Sequence, residues 1–102
     1  MPPVTTAHYV ALSAILFAVG LFGVVTRKNA VVILMGLELM LNAANLAFVA
    51  FSRHWGNLDG QVFAFFVIAV AAAEAAVALS IIIALFRIRG SVTLDDVAEL
   101  KN

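Results

Sequence analysis

Three stretches of this chain are long, apolar and almost free of charge, and they limit its fold more than any other feature. Residues 7–25 contain no Lys, Arg, Asp or Glu, residues 30–51 contain only Glu38, and residues 61–86 contain only Glu74. As helices rising about 1.5 Å per residue, these runs of 19, 22 and 26 residues reach about 28, 33 and 39 Å, against a bilayer hydrocarbon core of about 30 Å. The third has to tilt or extend into the headgroups. Composition agrees, since 12% of the 102 residues are charged and 65% hydrophobic, whereas soluble domains carry about 25% charged residues. The expected fold class is an all-α membrane protein. It forms a single integral membrane domain over residues 1–102, with three transmembrane helices at about 7–25, 30–51 and 61–86 and a polar tail at 87–102.

Several kinds of chemistry are excluded by what the chain lacks. There is no cysteine, hence no disulfide and no thiolate ligand for an iron–sulfur cluster or another metal. His8 and His54 are too far apart in sequence for metal-ligand spacing and read as residues of the membrane–water interface. Net charge is zero, with no basic patch for nucleic acid, no Gly-rich phosphate loop and no Ser/His/Asp set. The opening "MPPVTTAHYV" lacks the basic region of a cleavable secretory signal and reads as the approach to the first span.

The connections are short, "TRKN" at 26–29 and "SRHWGNLDG" at 52–60, so neighbouring helices run antiparallel. Arg27, Lys28, Arg87, Arg89 and Lys101 fall on one side of the membrane and Arg53 alone on the other. That asymmetry predicts an external N-terminus and a cytoplasmic C-terminus, with Tyr9 and Trp55 in an external aromatic belt. Gly90 and Ser91 break the third helix. "TLDD" then reads as a capping box, Thr93 with Asp96, opening a short polar surface helix over about 94–101.

Lipid gives no hydrophobic drive for helix association, so packing depends on small residues that let backbones approach. The first helix offers Ala7, Ala11, Ala14 and Ala18 on one face, and the third offers alanines from 71 to 78 around its glutamate. Both surfaces are expected to be buried against protein. Three helices have too few faces to bury them all, which implies neighbours from other chains.

An acidic side chain at the centre of a membrane helix costs about 2.5–3.5 kcal/mol on insertion scales and usually faces protein or a water-filled cavity. Glu74 sits at the midpoint of its span, and Glu38 lies about 4 Å to the cytoplasmic side of the middle of its own. No Lys or Arg lies in either span to pair with them. At about 100° per residue, Asn42 and Asn45 flank the face of Glu38 and extend a polar stripe outward from it. Glu74 has only Val70, Ala71, Val77 and Ala78 as turn-to-turn neighbours. Two uses fit such carboxyls: hydrogen bonds that join helices, or a relay that takes up and releases protons, since apolar surroundings favour the neutral form of an acid. The relay is the reading adopted for Glu38 and Glu74. Asn42 and Asn45 support it or bond helices together, and Arg27 and Lys28 set topology with a further electrostatic role open.

The segments "TRKNAVVILMGLELMLNAANLAFVAF" and "DGQVFAFFVIAVAAAEAAVALSIIIALFR", with the acidic tail "LDDVAEL", resemble subunit K of proton-translocating NADH-quinone oxidoreductase, the bacterial respiratory complex I. The likeness covers nearly the whole chain. It implies a translocase subunit in the membrane arm of that complex, lying in the bacterial inner membrane beside other membrane-arm subunits, including antiporter-like ones. Glu38 and Glu74 match the family's two membrane glutamates and Arg27 a loop arginine, while Lys28 stands where a second arginine is common. The fork geometry of that arginine is lost here although the charge is kept. The resemblance implies that the chain itself binds no cofactor, with FMN, iron–sulfur clusters and the quinone substrate handled elsewhere in the complex. A small membrane subunit of a multisubunit cation/proton antiporter is the nearest alternative. A rotary ATPase proteolipid fits three spans with two acids badly, and a purely structural assembly subunit leaves both intramembrane acids unexplained.

Overall fold

The computed structural model describes residues 3–95 and contains three helices among them: α1 (Thr6–Thr26), α2 (Ala30–Trp55) and α3 (Asp59–Arg89). Each is long and apolar enough to cross a membrane. The helices overrun the charge-free stretches at most ends because interfacial polar residues such as Arg53, His54 and Arg87 continue the backbone ladder. As a result the second connection is shorter than the sequence suggested, only Gly56–Leu58. At about 1.5 Å per residue the 31 residues of α3 reach about 46 Å, so α3 tilts or emerges from a bilayer.

Local chemistry fixes each helix end. Asn29 is the N-cap of α2, its Oδ1 accepting from the backbone N–H of Val31 at 2.9 Å and Val32 at 3.3 Å. Gly56 ends α2 and Gly90 ends α3, both in the left-handed region at φ 70° and 72°, where a side chain would be strained. At the start of α1, the Thr5 N–H donates to His8 Nδ1 at 2.9 Å, and Thr6 Oγ1 lies 3.3 Å from His54 Nδ1, joining that end to the last turn of α2. The two histidines therefore serve helix ends.

The second helix is the middle of the fold, packed against α1 on one side and α3 on the other. Its contacts are made by small residues. A Cβ on Gly20 would fall 2.7 Å from the Gly36 carbonyl oxygen, and one on Gly36 would fall 2.8 Å from the Gly20 oxygen, so α1 and α2 cross with backbones touching. About two turns away, Ser13 donates its hydroxyl to the Ala43 carbonyl. The α2–α3 crossing is built the same way. A Cβ on Gly60 would meet the Phe48 oxygen at 2.5 Å, and the Phe48 and Phe63 rings pack edge to face beside it. The buried apolar residues are Ala43, Ala50, Ala64 and Ala71, and no large side chain is fully buried among the described residues.

The alanine stripe expected to pack α1 does not do so within the chain: Ala7, Ala11, Ala14 and Ala18 are exposed. The physical reason is closeness. Where two backbones approach until a carbonyl occupies the Cβ position, glycine is admitted and alanine is not, so Gly20 and Ser13 set the contact face. Ala18 is about 160° around the helix from Gly20. On α3 the expectation holds in part, with Ala71 buried, Ala75 and Ala78 half-buried, and Ala72, Ala73 and Ala76 exposed.

After Gly90 the chain folds back. Ala30 N–H donates to Val92 O and Leu94 N–H to Lys28 O, both at 2.9 Å, forming an antiparallel bridge between Asn29 and Thr93. The expected tail helix lies, beyond Asp95, outside the described residues.

Candidate functional site

Glu38 and Glu74 come from different helices and border one cavity. A groove of about 460 Å³ between α2 and α3 is lined by both carboxylates, with Leu34, Leu41 and Ala78 among its walls and Phe17 of α1 at its edge. Helix register explains the meeting. Ser52 of α2 touches Gly60 of α3 at the crossing, and the helices are antiparallel. Glu38 lies fourteen residues back along α2 from Ser52 (52 − 38), and Glu74 fourteen residues forward along α3 from Gly60 (74 − 60). Equal steps of about 21 Å from a shared contact bring both to one level.

The two acids differ in setting. Glu38 is half-buried and also lines a larger groove of about 730 Å³, which runs along α2 from Val31 to Asn42 between Gly20 and Gly23 of α1 and Ala75 and Leu79 of α3. Glu74 is exposed within the chain and borders two shallower hollows on α3, one beside Phe66 and Val70 and the other beside Val77 and Ile81. Among the described residues no Lys or Arg lines any of these cavities.

The two asparagines, one stripe in sequence, part company in space. Asn42 is exposed and lines the larger groove with Glu38. Asn45 is 5% exposed, and its Oδ1 is buried with no hydrogen-bond partner. Only Asn42 therefore shares a cavity with a glutamate.

The loop cations also take separate positions. Arg27 ends α1, its backbone N–H donating to Gly23 O at 3.2 Å, with its side chain exposed. Lys28 Nζ donates to Asp95 Oδ2 at 2.9 Å. That hydrogen bond, together with the carboxylate's charge, holds the Lys28 ammonium above the usual lysine range. Neither cation lines the carboxylate grooves. Sequence reading did not single out Asp95 as the partner of Lys28, or Ser13 and the glycines as contact residues. Gly20 and Gly23 of α1 and the single Gly36 of α2 are the available signal for the crossing; a pairing across 67 residues carries none.

The site is thus two carboxyls bordering one groove between membrane-length helices, with no Lys or Arg among the described residues that line it. Residues 8–102 match the family described as NADH-ubiquinone/plastoquinone oxidoreductase chain 4L. "NADH-quinone oxidoreductase subunit K" of Myxococcus xanthus is 58% identical over 102 residues, the full length of both chains. The subunit K of Deinococcus radiodurans is 54% identical over 98 residues, 96% of this chain and 95% of that one. That of Anaeromyxobacter sp. strain K is 57% identical over 93 residues, 91% and 94% of the two.

Proposed function

Because the chain belongs to the chain 4L family of NADH-ubiquinone/plastoquinone oxidoreductases, we propose that it is the subunit K of a bacterial NADH-quinone oxidoreductase and helps couple quinone reduction to proton translocation. It is a membrane protein, with three helices of spanning length. In this reading it lies in the inner membrane with its C-terminus cytoplasmic, among other membrane-arm subunits that include antiporter-like ones. FMN, the iron–sulfur clusters and the quinone site belong to the rest of the complex, and a chain without cysteine supplies no thiolate ligand.

One observation carries the proposal: Glu38 and Glu74 line a single groove at one level, with no cation beside them. Two carboxyls that border one groove are placed to pass a proton along it, the use to which intramembrane acids are commonly put. Glu38 also borders the larger groove, which extends to Val31 at the loop end of α2, and Asn42 is the other polar side chain lining it. Glu38 thus stands between two compartments of the site, whereas Glu74 faces outward toward whatever chain packs on α3.

The test is to remove ionisation while keeping shape. In the assembled complex, Glu38→Gln should leave assembly and NADH oxidation by an artificial acceptor intact, while quinone-linked turnover and pumping fall at least tenfold. Glu74→Gln should act in the same direction and less severely. Combining Glu38→Gln with Asn42→Glu moves the carboxyl one turn, about 6 Å, within the groove that already holds both positions. Partial recovery of pumping supports a relay. Full pumping in both single Gln variants removes these carboxyls from it.

A further inference from the structure

We propose that Asp95 is a positioning residue: through Lys28 and the bridge between Asn29 and Thr93 it clasps the end of α3 to the start of α2, holding the register that sets Glu74 across from Glu38. Its consequence for turnover rests on the relay reading above; the clasp itself does not.

The first turn of a helix leaves backbone donors without intrahelical partners. In α2 three of them are met: Ala30 N–H by the Val92 carbonyl, and Val31 and Val32 N–H by Asn29 Oδ1. One of the donors that starts α2 is therefore capped by chain that follows α3. The same segment returns a bond through Leu94 N–H to Lys28 O, and Ser91 Oγ accepts from Thr93 N–H at 3.2 Å inside it. Gly90, in the left-handed region, makes the reversal that brings the strand back. These bonds belong to a built junction, and the Lys28–Asp95 pair closes over it.

That junction is needed because of how α3 is otherwise held. Its tight crossing with α2 is at Gly60, near the opposite end. Beyond it α3 keeps Ala64 and Ala71 buried and then borders the 460 Å³ groove, and Glu74 sits fourteen residues from Gly60 and sixteen from Gly90. With its closest contacts, Gly60, Ala64 and Ala71, all on one side of Glu74, α3 can pivot: a swing of about 5° about Gly60 carries Glu74 about 2 Å, enough to make or break a hydrogen-bonded path. The clasp supplies the second fixed point. An exposed ion pair is weak on its own, so Asp95 acts by steering the strand whose backbone bonds do the fastening. Reversing its charge, rather than neutralising it, is the informative change.

The experiment reads the register directly. Leu34 and Ala78 line the carboxylate groove from α2 and α3, and this chain has no cysteine of its own. With Leu34→Cys and Ala78→Cys in the assembled complex, a short bifunctional thiol reagent should bridge the two helices. Asp95→Lys should lower that yield at least threefold, and adding Lys28→Asp to it should restore the yield by re-forming the pair with opposite polarity. Leu94→Pro, which deletes the N–H donated to Lys28, should lower it without any change of charge. In chains without the added cysteines, Asp95→Lys should slow quinone-linked turnover in parallel, with artificial-acceptor NADH oxidation unchanged. Unaltered cross-linking in both Asp95→Lys and Leu94→Pro overturns the clasp. Reduced cross-linking with full turnover upholds the clasp and counts against the relay.

Discussion

At the scale of single residues, Asn45 is the side chain least explained by folding. Its carbonyl oxygen is enclosed without a donor, a situation that costs about 1–3 kcal/mol when a group is left buried and unpaired. Leucine has nearly the same shape and carries no such penalty. Asn45→Leu should therefore assemble at the normal level, with thermal stability of the complex equal or higher, while quinone-linked turnover falls. A variant that loses assembly and keeps its specific turnover would make Asn45 a packing residue. The sequence made the two asparagines look alike because periodicity fixes angles about one helix only. Asn42 and Asn45 are about 60° apart, and that angle separates a groove wall from a helix contact once neighbouring helices take their places. Glu38 and Glu74 were legible for the opposite reason, as charge in apolar surroundings stands out without knowledge of the neighbours.

At the scale of the element, three glycines determine where helices touch. Gly20→Ala places a methyl 2.7 Å from the Gly36 oxygen and 2.8 Å from Met40 Cγ, and Gly36→Ala meets the Gly20 oxygen at 2.8 Å. A backbone oxygen cannot step aside as a side-chain tip can. Each change should push α1 off α2 and destabilise the pair by about 1–3 kcal/mol, the range for overpacked contacts. Gly23→Ala is the control on the same helix: nothing lies within 4 Å of its added Cβ, and helix propensity favours alanine by about 1 kcal/mol. Thermal dissociation of the purified complex should rank Gly23→Ala at or above the parent and the other two below it. Helix number and approximate extent were readable from the uncharged stretches. The contact face of α1 was not, because a count of small residues favours the alanine stripe, whereas the distance of closest approach selects Gly20.

At the scale of the whole molecule, the chain is turned inside out relative to a soluble protein. Its buried residues are alanines, glycines and small polar groups, while Phe22, Phe65, Phe66 and Ile15 face outward. Such a surface suits lipid and neighbouring chains. Its orientation is tested by single cysteines: Asn57→Cys should react with an impermeant thiol reagent from outside sealed cells, and Ser91→Cys only after permeabilisation. The opposite pattern reverses the direction assigned from the basic residues. That direction rests on five cations against one in the sequence; a fold of three helices in a row, with α2 between its neighbours, is compatible with either insertion.

The order in which parts leave the ribosome gives the junction at Asn29 and Thr93 a further meaning. The hairpin of α1 and α2 has all its contact residues as soon as Trp55 is made. Lys28 meets Asp95 only after 40 further residues (95 − 55), about 2–8 s later at ordinary rates of synthesis. During that interval the Ala30 amide lacks the acceptor that the finished chain provides. Closure of the junction therefore reports that the chain has been made as far as Asp95. A product stopped before Val92 would carry both acids and all three helices yet remain unfastened, with the Ala30 amide left without its acceptor.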